Sequence, residues 1–268
     1  MHDDLIDIVR QASAEILDVY QSDFEVETKQ DSSPLTQADL RAHRVIVQGL
    51  SDLDSDIPII SEESELPPYD LRRTWSRYWL VDPLDGTKEF VNRNDEFTVN
   101  IALIEANRAI LGVVGVPVRG QVYVGDLRDG RAYRLDDQGR HTLATRSLPE
   151  DSITVVASRS HGGERLEEYL DRLRMSFGEV HRTHLGSSLK LCILADGLAD
   201  FYPRLGPTSE WDIGAAQAVL EAAGGRVMLF DGGPLLHNSK ESFLNPEFMA
   251  VADTSVDWVE RLPEVPEP

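Results

Sequence analysis

A single cysteine, Cys192, stands in a chain of 268 residues. That excludes an internal disulfide and a thiolate cluster for zinc or iron, and it fits a reducing compartment. Basic residues are scarce as well: 26 lysines and arginines face 47 aspartates and glutamates, a formal charge of −21. So acidic a chain argues against a groove for nucleic acid or a patch for an anionic membrane. An anionic substrate has to be drawn in locally, by metal ions or a few placed cations. High-salt adaptation and ordinary solubility both produce such acidity, and composition does not separate them. No apolar run reaches the roughly 18 residues of a membrane span. The opening MHDDLIDIVRQ is an acidic amphipathic segment rather than a signal peptide. H-E-x-x-H is missing, and the histidines show no ligand spacing. We therefore expect a soluble intracellular protein, and Cys192 reads as core filling.

Apolar periodicity organises the rest. Leu5, Ile8, Val9, Ala12, Ile16 and Val19 recur at helical spacing and predict a helix over 3–20. Thr36 is a good N-cap for a second helix, with Asp39 three residues on as its capping partner. Strand patterns follow at 57–60, 78–81, 98–104, 110–116, 121–125 and 131–135, so helices precede a run of adjacent strands. The polar stretch 136–151 reads as a connection. Beyond it, strands at 153–157, 180–183, 226–230 and 248–252 alternate with helices at 164–175, 187–195 and 211–223, a pattern of parallel strands with crossover helices. We expect two closely packed halves, α+β over 1–140 and α/β over 141–268, with the tail VERLPEVPEP disordered.

Three acidic stations stand where elements end, the places at which α/β folds build sites. IPIISEES closes on Glu62 and Glu63, YWLVDPLDGT carries Asp82 and Asp85, and PTSEWDIGAA puts Asp212 in the first turn of a small-residue helix. Each has a plain structural reading. D-P-x-D-G is good turn chemistry, paired glutamates suit a solvated strand end, and an aspartate complements a helix dipole. Together they make a hard oxygen donor set that suits magnesium or manganese. Two such ions clamp the attacking and leaving oxygens of a phosphoryl displacement. Gly86 permits close backbone approach, and Thr87 adds a hydroxyl.

WLVDPLDGTKEF, SEES and EWDIGAAQAVLEAAGG together resemble the ordered motifs of the lithium-sensitive, magnesium-dependent phosphatases of the inositol monophosphatase and fructose 1,6-bisphosphatase superfamily. D-G-T-K-E-F, SRSH, GSSLK, YPRLGPT and ESFLNPEF are most similar to its 3′(2′),5′-bisphosphate nucleotidases of the CysQ type. The resemblance implies a layered αβαβα sandwich. It implies that Glu62, Asp82, Asp85, Asp212 and the Leu84 carbonyl hold two or three Mg²⁺ ions, with Mn²⁺ an alternative, and that Glu63 stands behind them. Which glutamate of the pair binds metal directly stays open. Thr87 with Asp39 would deprotonate a metal-activated water for in-line attack without a phosphoenzyme. Gly86 and Thr87 would hold the scissile phosphate, and Ser158, His161, Ser187, Lys190 and Arg204 would contact substrate. The reaction implied is hydrolysis of adenosine 3′,5′-bisphosphate to AMP and phosphate, in sulfate assimilation. The setting is the cytoplasm, with peripheral placement at the inner membrane as a variant, and the state a monomer or homodimer. In each case a bland role competes: Lys190 as a surface helix lysine, Arg204 as a loop arginine, His161 as a bystander.

Three other readings remain open at this stage. One is an inositol or sugar phosphatase of the same superfamily. A second is an aspartyl-phosphate enzyme, against which the D-x-x-D spacing is one residue too long. The third is a sensor that binds the nucleotide without cleaving it.

Overall fold

A computed structural model describes residues 1–28, 34–158 and 163–267. Helix α1 (His2–Tyr20) and helix α2 (Gln37–Leu53) flank a two-stranded ribbon, β1 (Val26–Thr28) with β2 (Pro34–Thr36). The second helix starts where its cap chemistry predicts. Thr36 and Asp39 form a reciprocal capping box, a device worth about 1 kcal/mol.

A seven-stranded sheet follows in chain order: β3 (Ile59–Ser61), β4 (Arg77–Asp85), β5 (Thr98–Glu105), β6 (Arg108–Val116), β7 (Gln121–Asp126), β8 (Arg131–Asp136) and β9 (Gly139–Thr142). Only the pair β3–β4 is parallel. Short helices α3 (Tyr69–Arg72) and α4 (Thr87–Val91) interrupt it. The last strand corrects the reading of 136–151 as a plain connection: its polar residues are exposed because β9 closes the sheet edge, with His141 opposite Arg134.

The second sheet has the order β11-β10-β12-β14-β13. Its parts are β10 (Ser152–Ser158), α5 (Gly163–Phe177), β11 (Glu179–Leu185), α6 (Leu189–Ala195), β12 (Phe201–Arg204), α7 (Glu210–Ala222), β13 (Arg226–Leu229), β14 (Phe248–Val251) and α8 (Trp258–Arg261). It is not wholly parallel as expected: β14 runs antiparallel to both β12 and β13, because the chain returns from β13 without a crossover helix. The tail expected to be disordered is packed on the second half as far as residue 267. The Trp258 ring stacks on Phe201 at 5.5 Å, and the carbonyls of Glu264 and Pro266 accept from Arg172 and Arg165.

The alternation of β4 explains the layering. Trp79 and Val81 join the core under α1 and α2, whereas Tyr78 and Leu80 face α6 and α7. Helix α7 lies between the two sheets, so Ile213 through Leu220 are buried without a polar stripe. Its approach is close: a Cβ on Gly112 would stand 2.0 Å from the Ala215 carbonyl oxygen, and one on Gly125 would stand 2.3 Å from the Val219 Cα. Glycine in those strands lets α7 sit directly on the sheet and carry its first turn to the strand ends. Outside the second sheet, α5 and Trp258 cover Val155, Phe201 and Val251. The layers therefore run helix, sheet, helix, sheet, helix, in agreement with the αβαβα expectation.

Candidate active site

In a regular strand, residues three apart point to opposite faces, so D-P-L-D would split its carboxylates. The register shifts between Asp82 and Asp85: Asp82 stands opposite Asn100 and Asp85 opposite Thr98. This bulge adds one residue and returns Asp85 to the face of Asp82. That face is the one covered by α7, whose third residue is Asp212. Carboxylate oxygens of Asp82, Asp85 and Asp212 consequently lie within 4.8 Å of one another. Glu62, at the end of β3, shares a hydrogen bond with Asp82, and its own amide donates to the Val81 carbonyl at 3.1 Å. Glu63 is the next residue and partly buried.

Asp82 is buried and Asp85, Asp212 and Glu62 are half-buried around it, so the carboxylates raise one another's proton affinity. Asp82 is held well above the usual carboxylate range, by burial first and then by Glu62, Asp85 and Asp212. Asp212 is raised likewise, by burial and then Asp85. Burial pushes Asp85 up to about 6, less than its neighbours because Lys190 and the Ser188 amide favour its charged form. Among the described residues, no arginine or lysine bridges any of the three. A hard oxygen donor set, half-buried at the cleft and self-repelling, fits divalent cations of the magnesium type.

The bonds around the trio are specific. Asp82 accepts from the Leu84 amide at 3.0 Å, and the Leu84 carbonyl accepts from the Thr87 hydroxyl at 3.2 Å. Gly86, at φ +90°, makes the turn into α4 that a side chain would strain. Asp39 divides its carboxylate: Oδ2 accepts the Thr36 amide and hydroxyl, each at 2.7 Å, and Oδ1 accepts the Thr87 hydroxyl at 3.3 Å. Both the capping reading and the partner-of-Thr87 reading of Asp39 therefore describe the same side chain.

A cleft of about 240 Å³ opens beside the trio, lined by Asp85, Gly86, Thr87 and Asp212 together with Ser158, Ser187, Lys190 and Arg204. Lys190 and Arg204 are not the surface residues their bland readings suppose; both are buried. The Lys190 ammonium donates to the Ser187 carbonyl at 2.5 Å, and the Arg204 guanidinium donates to the Gly206 and Pro207 carbonyls at 3.0 and 2.5 Å. Both cations thus spend these bonds on neutral groups. His161 lies outside the described residues.

One contact was not anticipated from the sequence. Ser188, rather than Ser187, donates its amide to Asp85 at 2.5 Å, and its hydroxyl meets Thr98 and Asn100, each at 2.8 Å. It heads α6 and so joins the second half of the chain to the bulge. GSSLK holds two serines, and only the preference of serine for helix starts could have singled out the second. His2, Asp126 and Asp129 form another acidic group, but Arg128 already occupies Asp126 through two donors at 2.8 and 2.6 Å.

Residues 3–256 match the family model described as the inositol monophosphatase family. The chain belongs to the inositol monophosphatase family. Within it, the 3′(2′),5′-bisphosphate nucleotidase CysQ of Escherichia coli K12 is 46% identical over 250 residues, 92% of this chain and 98% of the relative. The protein of the same name from Haemophilus influenzae is 32% identical, over 94% of this chain and 92% of its own. The crystal structure of CysQ from Bacteroides thetaiotaomicron superposes with a TM-score of 0.80 at 36% identity, covering 94% of this chain and 97% of that one. The suhB extragenic suppressor protein of Bartonella henselae shares the family's fold at 21% identity, with a TM-score of 0.76 over 94% of this chain and 93% of its own. No helix of the described residues is long and apolar enough to cross a membrane.

Proposed function

We propose that the protein is a metal-dependent 3′(2′),5′-bisphosphate nucleotidase that hydrolyses adenosine 3′,5′-bisphosphate to AMP and phosphate. The observation that carries this reading is one cleft lined by two members of the acidic trio and by two buried cations. The relatives that bear this activity in their names span nearly the whole chain, which supports the same conclusion.

Glu62, Asp82, Asp85, Asp212 and the Leu84 carbonyl would hold Mg²⁺, with Mn²⁺ as a substitute, and Glu63 would stand behind them. Glu62 is the better direct ligand of the two glutamates, since it already touches Asp82. When bound, the cations would neutralise the carboxylates, screen the phosphoryl charge and lower the pKa of water.

The chain's own groups supply the remainder. The Thr87 hydroxyl, within 3.3 Å of Asp39, takes a proton from the attacking water and passes its own to the Asp39 carboxylate. Asp39 is kept in place by the two Thr36 bonds on Oδ2, so Oδ1 stays aimed at Thr87. Gly86 and Thr87 present backbone amides to the scissile phosphate. Lys190 and Arg204, together with Ser158 and Ser187, receive the rest of the nucleotide. A buried cation is worth most to the phosphate that stays behind, which an inositol monophosphate lacks.

A phosphate-release panel of adenosine 3′,5′-bisphosphate, inositol 1-phosphate and fructose 1,6-bisphosphate, with and without Mg²⁺, tests this reading. We expect Mg²⁺-dependent release fastest from the nucleotide. Release from inositol 1-phosphate far outpacing it would move the protein to the other branch of its family, and nucleotide binding without any release would make it a sensor.

A further inference from the structure

Three carboxylates of the proposed metal set come from two hydrogen-bonded neighbours, β3 and β4, whose relative position the sheet decides. Asp212 comes from elsewhere, and the turn that delivers it, residues 206–211, belongs to neither sheet. Arg204 holds the start of that turn through the Gly206 and Pro207 carbonyls, and the segment 237–245, which contains most of the ESFLNPEF motif and takes no part in the cleft, holds the rest.

The attachment is almost continuous. Ser209 and Leu244 form an isolated antiparallel bridge, the Glu210 amide donates to the Phe243 carbonyl at 2.9 Å, and the Asn245 amide nitrogen donates to the Thr208 carbonyl at 2.7 Å. The Asn245 side chain adds bonds to the Thr208 hydroxyl at 3.1 Å and the Ser209 carbonyl at 2.8 Å, and the Trp211 ring packs on Phe243 at 5.1 Å.

The other end of the segment is fastened to the first half of the chain. Arg72, on α3 between the Glu62 and Asp82 strands, is buried; it donates to the Asn238 side chain and the Glu241 carbonyl and lies 4.0 Å from the Phe243 ring centre. Asn238 answers with its side-chain amide to the Arg72 carbonyl at 2.7 Å and its backbone amide to Glu210 Oε2 at 2.7 Å. An arginine and a glutamate buried for cohesion alone gain little over an apolar pair of the same size; they do fix one register and reject others.

We infer that Arg72, Asn238 and Asn245 are positioning residues that set Asp212 against the carboxylates of β3 and β4. The inference rests on the reading of Asp212 as a metal ligand. Loss of the bridge lets the first turn of α7 shift, so the metal affinity falls while the fold, held by the buried length of α7, persists.

The test measures melting temperature against Mg²⁺ and Mn²⁺ concentration, with metal affinity by calorimetry as a second readout. Asn238→Gly removes the side chain while keeping a residue suited to φ +52°. Asn245→Ser removes the amide at a separate point. We expect each variant to need about tenfold more metal for half of the stabilisation, and turnover to recover at high metal. Glu241→Gln, on the same segment with an exposed side chain, should match the parent. If either folded asparagine variant binds metal within twofold of the parent, or if Glu241→Gln weakens it equally, the positioning role is overturned. A parent protein that gains no stability from either ion contradicts the metal reading itself.

Discussion

Two helix starts in this protein share one local device and differ in what it does. At α2, Thr36 and Asp39 form a capping box; at α7, Ser209 and Asp212 form another, with the Ser209 amide donating to Asp212 at 2.9 Å. In both, one carboxylate oxygen closes the helix and the other faces the site. Across from Asp39 stands a hydroxyl, Thr87; across from Asp212 stand Asp85 and Asp82. The first is suited to accept a proton and the second to share a cation. The cap rigidifies the carboxylate, and the facing group decides its chemistry.

The comparison breaks most sharply at Asp212. Asp212→Asn preserves an acceptor for the Ser209 amide but removes a ligand charge, so turnover should fall by about 10³-fold or more while the metal-free protein melts no lower than the parent. Steady-state rates and a metal-free melting curve check both halves. A smaller loss is expected for Asp39→Asn, about 10²-fold in kcat, because a proton acceptor goes while cation binding stays. Arg204→Ala lies outside both boxes. It should raise KM for adenosine 3′,5′-bisphosphate about tenfold and leave a nucleoside monophosphate control within about twofold; equal changes would remove Arg204 from the substrate contacts.

The smallest effect is on stability against pH. Asp85 titrates near 6 in the folded protein against an ordinary 3.8, so the folded state holds its proton over a range where the unfolded chain has released it. Stability of the metal-free protein must then fall as pH rises through that window, and the raised Asp82 and Asp212 extend the fall upward. A loss on the order of 5 °C in melting temperature is expected between about pH 4 and 7. Saturating Mg²⁺ should flatten it, and a slope untouched by metal would deny that these carboxylates cause it.

Much of this arrangement was legible in the sequence where periodicity and caps are strong. Helices α1, α2 and α7 begin within a residue or two of their predicted starts, since an apolar stripe or a Thr/Ser-x-x-Asp start is a local signal. The strand Phe201–Arg204 was not legible. It is short and contains Pro203, tolerated because β12 meets β10 at a single residue pair and β14 supplies the rest of its partners. The bulge between Asp82 and Asp85 was hidden for a different reason: strict alternation argues against two carboxylates on one face, and only the register of β5 restores them. The fastening of Asp212 by Asn238 and Asn245 depends on contacts far apart in sequence, which no window of residues contains.

The most direct measurement compares metal-dependent stabilisation in two single variants, Asp39→Asn and Asp212→Asn, by melting temperature over a Mg²⁺ titration. If the facing group sets the duty of each capped aspartate, Asp39→Asn keeps the parent's half-maximal Mg²⁺ concentration and Asp212→Asn loses the response. Equal behaviour of the two variants, whether both retain the response or both lose it, would contradict the account.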